Sequence, residues 1–125
     1  PTFATDRLTS AILDFGSGAT ATFSCATQLT PFQRVLAFGD VGHLEIDVPF
    51  NAPPCGRIHV QRSDGEHTQQ RTFENVDQYT LQGEAFSDAI LEGAPVPTPL
   101  SDAVANMRVL DAIRASAHEG TWKRI

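Results

Sequence analysis

The stretch from Asp77 to Ile125 places the tightest constraint on how this chain can fold. Tyr79, Phe86 and Ile90 recur at helical spacing, widened by Ala85 and Ala89, so 79–92 is expected to be an amphipathic helix. Asp77 is placed to cap its start and Gly93 to stop it. Pro95, Pro97 and Pro99 then hold a short connector extended. A second, longer helix follows, with Ser101 as its expected cap, Asp102 in its first turn and Val104, Met107, Leu110, Ile113 and Ala117 as its apolar stripe. Gly120 ends it, and 121–125 is short enough for a final edge strand or a docked tail. About seventy residues of strand-like sequence precede this pair, and two terminal helices after a run of strands specify an α+β fold.

In the strand region, 6–15 alternates Leu8 and Ile12 against Ala11, Leu13 and Phe15. Gly16-Ser17-Gly18 turns the chain into 19–27, where Phe23 and Cys25 oppose Thr20, Thr22 and Ser24, and the two segments read as a hairpin. The third strand, 33–38, is apolar on both faces, with Val35 and Ala37 on one side and Leu36 and Phe38 on the other. Such a strand is expected to be covered twice, by the helices and by another layer or subunit. After the turn 39–42 comes 43–48, with Leu44, Ile46 and Val48 inward and His43, Glu45 and Asp47 outward, which reads as half-exposed. The segment 49–56 holds three prolines and must be a loop. A polar hairpin, 57–62 and 67–73 around Ser63-Asp64-Gly65-Glu66, is expected at a sheet edge.

A chain of 125 residues can bury one ordinary core, and its 41% hydrophobic content is that of a globular domain. The net charge of -6 disfavours nucleic acid as a partner. No apolar run approaches bilayer-spanning length, so no membrane partner is expected. Cys25 falls in a strand and Cys55 in the proline-rich loop. Two reduced thiols in a cytoplasmic protein are the favoured arrangement, with a disulfide as the alternative.

The candidate chemistry is sparse. Gly16-Ser17-Gly18 lacks the third glycine and the following helix of a dinucleotide fingerprint, and so does the turn 39–42. His43, His59, His67 and His118 show no metal-ligand spacing, and no metal site is expected. His43 and His59 could neighbour one another across the sheet, although solvated strand positions suit them better. Glu45 and Asp47 share a strand face and could act as acid and base, but an exposed polar face is the simpler reading. No nucleophile elbow is present. No catalytic and no cofactor-binding residue is assigned. Tyr79 and Gln82 share a face of the first helix and could line a pocket.

The run from Asn75 to Trp122, above all the Tyr79…Gln82…Glu84-Ala85-Phe86 helix and the Ala105-Asn106-Met107-Arg108-Val109-Leu110-Asp111-Ala112 helix, resembles the C-terminal end of the glucose–fructose oxidoreductase / inositol dehydrogenase / rhizopine-catabolism (Gfo/Idh/MocA) family. The run 38–47 and the first hairpin are similar too. The resemblance implies an open, mostly antiparallel sheet with the two C-terminal helices packed on one face and a dimer interface on the other. The chain would then be a single C-terminal substrate-binding and dimerisation domain, 1–125. Complete members are NAD(P)-dependent oxidoreductases acting on a hydroxyl-bearing carbon of a sugar, cyclitol or similar small molecule. Their cofactor sits in an N-terminal Rossmann domain, and their catalytic Lys comes from a Glu-Lys-Pro motif; neither occurs in these residues. The Asp and His proton-transfer pair of the family should lie upstream of Pro1. The resemblance therefore implies an isolated chain that is inactive and binds no NAD(P), a homo-oligomer through the sheet face, and Tyr79 and Gln82 on the far wall of the substrate pocket. The alternative is a stand-alone, non-catalytic binding module of the same fold.

Overall fold

A computed structural model describes residues 5–50, 57–74 and 76–125. It holds six strands and two helices, β1 (Leu8–Asp14), β2 (Thr20–Ala26), β3 (Arg34–Gly39), β4 (Gly42–Asp47), β5 (Arg57–Ser63), β6 (Thr68–Glu74), α1 (Gln78–Glu92) and α2 (Leu100–Glu119). Every strand pairing is antiparallel, and the class is α+β. The strands divide into two sheets, a β1-β2 pair and a four-stranded sheet in the order β3-β4-β5-β6. The chain forms two compact units, one of residues 1–29 and 88–125, the other of residues 30–87, with the division falling inside α1.

The first unit contains the β1-β2 hairpin and α2. Leu8 lies opposite Ala26 and Asp14 opposite Thr20. The Phe15 N–H donates to the Ala19 carbonyl at 3.0 Å, and the Gly16 N–H to Asp14 Oδ1 at 2.8 Å. Gly16-Ser17-Gly18 is thus a hairpin turn. Thr9, Ala11 and Leu13 are half-buried while Leu8, Ser10 and Ile12 are exposed, so the period-two pattern was legible. On β2, Cys25 is a free, exposed thiol rather than the core residue its strand position suggests. Cys55, the second of the two thiols, lies with the rest of 51–56 outside the described residues.

Helix α2 begins two residues earlier than expected. Pro99, not Ser101, occupies the cap position, extended at φ -72° and ψ 158°, and no side chain caps the helix. Proline's fixed φ suits that geometry, and its carbonyl accepts the Asp102 N–H at 2.9 Å. Gly120 closes the helix in the left-handed region, its N–H donating to the Ser116 carbonyl at 2.8 Å. Val109, Ala112, Ile113, Ala115 and Ser116 are the half-buried positions of α2, whereas Val104, Met107, Leu110 and Ala117 of the expected stripe are exposed. Residues 122–125 form no strand. Lys123 instead pairs with Glu119 one turn back.

The second unit is the four-stranded sheet and the start of α1. Its registers sort the side chains into two faces. Val35, Ala37, Leu44, Ile46, Ile58, Val60 and Phe73 share one face. Arg34, Glu45, Asp47, His59, Gln61, Gln70 and Thr72 share the other, joined at its β3 side by Leu36 and Phe38. β4 is an interior strand, half-buried at every position rather than alternately exposed, because β3 and β5 flank it. Of the polar hairpin, β6 is an edge as expected and β5 is interior. Val48, expected inward on β4, leaves the strand with φ 42°, a conformation that β-branched residues rarely adopt.

The β3–β4 turn needs a glycine for space. A Cβ on Gly42 would overlap the Ser63 carbonyl oxygen and stand 3.0 Å from the Asp64 Cα. On β3, Leu36 and Phe38 are 48% and 76% exposed, so the second apolar face of this strand is open in the chain. The stripe of α1 is open too. Tyr79, Phe86 and Ile90 are exposed, and Ala89 is the buried hydrophobic side chain among the described residues.

Candidate functional site

The start of α1 is built by Asp77. Its Oδ1 accepts the Tyr79 N–H at 3.0 Å and the Thr80 N–H at 3.4 Å, and its Oδ2 accepts the Thr80 hydroxyl at 2.9 Å. These bonds satisfy amides that have no partner inside the helix. The Thr80 hydroxyl first, then the Tyr79 and Thr80 amides, hold the Asp77 carboxyl below its ordinary value. Tyr79 and Gln82, three residues apart, are brought to one helix face, where Tyr79 is 69% exposed and Gln82 is exposed. Together they present a flat ring, a phenol hydroxyl and a carboxamide, which are uncharged donors and acceptors. None of the fifteen residues of α1 is Lys, Arg or His, while Glu84, Asp88 and Glu92 are acidic. This segment can hydrogen-bond and stack against a ligand, but it offers no group poised for proton transfer.

The polar sheet face gathers the other residues with chemical potential, and most of them are already engaged. Glu45 pairs with Arg34 at 3.0 Å. Asp47 accepts the backbone N–H of His59. The Nδ1 of His59 lies 3.1 Å from Thr72 Oγ1 and 3.0 Å from Gln70 Nε2. His43 stands against Phe38 with ring centroids 5.7 Å apart. His43 lies opposite Ser63, and His59 lies opposite Thr72, so the two histidines are separated along the sheet rather than neighbours. His67 serves the β5–β6 turn, where its N–H and that of Glu66 donate to Asp64. Among the described residues, no group of three or more His, Cys, Asp or Glu side chains could hold a metal ion. The arrangement is a hydrogen-bonded polar surface, in which Glu45 and Asp47 stabilise the sheet instead of facing each other across a substrate.

Sequence reasoning missed an open groove of about 870 Å³ in the first unit. Leu8, Ile12, Phe23 and Cys25 line one side and Leu110, Ile113, Arg114, His118 and Trp122 the other. At its rim Asp6 accepts the Thr9 hydroxyl, which, more than the nearby Arg114 charge, lowers the Asp6 pKa. Periodicity assigns these apolar side chains to a core and cannot tell a closed core from an open furrow.

No protein-family model matches the chain, and no solved structure matches it. Two curated relatives align along it. An uncharacterized oxidoreductase of Rhizobium meliloti is 37% identical over 130 aligned positions, covering 100% of this chain and 39% of that protein. A D-xylose 1-dehydrogenase (NADP(+)) of Haloferax volcanii is 31% identical over 117 positions, covering 92% of this chain and 35% of that protein. The chain thus spans under two fifths of the length of the curated relatives it matches. It is similar to part of an oxidoreductase and to part of a sugar dehydrogenase. No described helix is long and apolar enough to cross a membrane.

Proposed function

We propose that this chain is the C-terminal, substrate-facing and assembly-forming part of an NAD(P)-dependent oxidoreductase of the Gfo/Idh/MocA type, acting on a hydroxyl-bearing carbon of a sugar, cyclitol or similar small molecule. The observation that carries the reading is alignment along 92–100% of the chain with an oxidoreductase and an NADP(+)-linked xylose dehydrogenase. The α+β architecture agrees with it. In this reading Tyr79 and Gln82 form a wall of the substrate pocket, the nicotinamide belongs to a Rossmann domain of the same polypeptide, and the Asp and His proton-transfer pair belongs to a helix upstream of Pro1. The chain alone binds no NAD(P) and turns over nothing, because no glycine-rich strand–helix turn for a pyrophosphate occurs among the described residues. The exposed Leu36 and Phe38 support a second role, association of two copies through the sheet face.

The test begins with the mass of the native polypeptide in its source cells, measured with an antibody against this chain. A product two to three times longer that reduces NAD(P) in the presence of an aldose or cyclitol supports the reading. A product of this length without nicotinamide-linked turnover refutes it, and a micromolar Kd of NADH for the 125-residue chain refutes the expected inactivity of the isolated part.

A further inference from the structure

We infer that the groove of the first unit is the seat of a further β-strand: an extended, alternately apolar segment of the same polypeptide, lying outside residues 1–125, pairs with the open edge of β1. The inference rests on the proposed place of this chain within a longer oxidoreductase and adds where the rest of that polypeptide grips it.

An antiparallel hairpin uses only half of each strand's backbone groups. The Thr27 N–H donates to the Arg7 carbonyl and the Phe15 N–H to the Ala19 carbonyl, so the odd-numbered residues of β1 aim their N–H and C=O groups at β2. Leu8, Ser10 and Ile12 aim theirs the other way, and among the described residues β2 is the sole neighbour of β1. The groove follows that open edge. Five consecutive residues, 8–12, line it, and because neighbours along a strand point to opposite faces, the space runs beside β1 rather than over one face alone. Leu110, Ile113 and Trp122 stand on the far side. Nothing blunts the edge. β1 holds no proline and no basic residue, and its one acid, Asp14, is its last position. The outer strand β6 of the other sheet, by contrast, is polar save for Phe73 and exposed throughout. A two-stranded hairpin by itself is marginally stable, and a third strand is what such a pair ordinarily gains. Its apolar side chains would cover Leu8 and Ile12, which are 52% and 60% exposed. The relatives supply the occupant, since more than three fifths of each lies outside its alignment with this chain. A segment tethered in the same polypeptide meets the edge at an effective concentration on the order of millimolar, which a second copy of the chain does not match.

The experiment is residue-resolved amide exchange on the native polypeptide that carries this chain. Amides along an open edge exchange freely, whereas paired ones wait for local opening. The expected result is protection at Leu8, Ser10 and Ile12 within about tenfold of that at Thr9 and Ala11, which β2 already holds, and unchanged when the protein is diluted about a hundredfold. Outward amides that exchange faster than this overturn the inference. Protection that fades on dilution assigns the edge to a second copy and overturns it too. A pair of proline variants reads the same edge. Ser10→Pro removes an N–H that an edge strand leaves unused, while Ala11→Pro removes one that β2 engages and is the control that opens the hairpin in either case. With a strand in the groove, Ser10→Pro should speed exchange at Leu8 and Ile12 by at least about tenfold. A change below about twofold marks β1 as a true edge and defeats the inference. A native polypeptide no longer than this chain defeats the oxidoreductase reading and the inference with it. A longer one whose outward β1 amides are open defeats the inference alone.

Discussion

Replacing Gly42 by alanine tests the β3–β4–β5 arrangement at its tightest point. The added methyl group would overlap the Ser63 carbonyl oxygen and lie 3.0 Å from the Asp64 Cα and 3.1 Å from the Ser63 carbonyl carbon. All three are backbone atoms, so no side chain can rotate away, and β4 and β5 must separate at the His43–Ser63 pair. Overpacking of this kind costs about 1–3 kcal/mol. Weakening one cross-strand hydrogen bond adds about 1 kcal/mol, for a total of roughly 2–4 kcal/mol, against the ~5–15 kcal/mol that holds a typical domain folded. Native-state amide exchange reads the effect locally, whatever else the polypeptide carries. Amides of β4 and β5 should exchange roughly 30- to 900-fold faster in Gly42→Ala, with the β1-β2 hairpin much less affected. The control is Gly120→Ala, where nothing lies within 4 Å of the new methyl group and only the left-handed φ of 67° resists it. That variant should lose about 1 kcal/mol, with fraying confined to the last turn of α2. A change in β4–β5 protection no larger than twofold in Gly42→Ala would refute the close approach of Ser63 to Gly42 and with it the register.

Other expectations concern charge and association. The Asp77 carboxyl titrates below its unfolded value, so its contribution is complete above the ordinary carboxylate range and fades as pH falls through the folded value. The stability gap between the wild type and Asp77→Ala should therefore be full at neutral pH and close in acid, as seen in the circular dichroism of α1. The Arg34–Glu45 pair, with both side chains partly exposed, should couple by no more than about 1 kcal/mol in a double-mutant cycle, and by less at high salt. Light scattering should find the native protein at least dimeric and Phe38→Asp shifted toward monomer; a wild-type monomer would count against association through this face.

Much of the candidate site was legible only because local chemistry fixes local structure. Asp77 precedes a helical pattern and can reach the amides two and three residues on, so its cap could be foreseen. Tyr79 and Gln82 share a face because three residues make nearly one helical turn. Ser101 misled because cap preference is statistical, and Pro99 two positions earlier, with φ already set, starts the helix sooner. The groove beside α2 was invisible to the pattern for another reason. Apolar periodicity states which side chains avoid water, not how closely the opposing wall approaches them.

Among the described residues, local sequence alone determined the six strands, the two helices, the turn at Gly16-Ser17-Gly18 and the helix stop at Gly120, since each depends on residues within a few positions of one another. Tertiary structure decided the rest. The division of six strands into a pair and a sheet of four, the interior place of β4, and the separation of His43 from His59 depend on hydrogen bonds between segments distant in sequence. Alternation is the same for an edge strand and an interior one, and only the register shows which polar side chains meet.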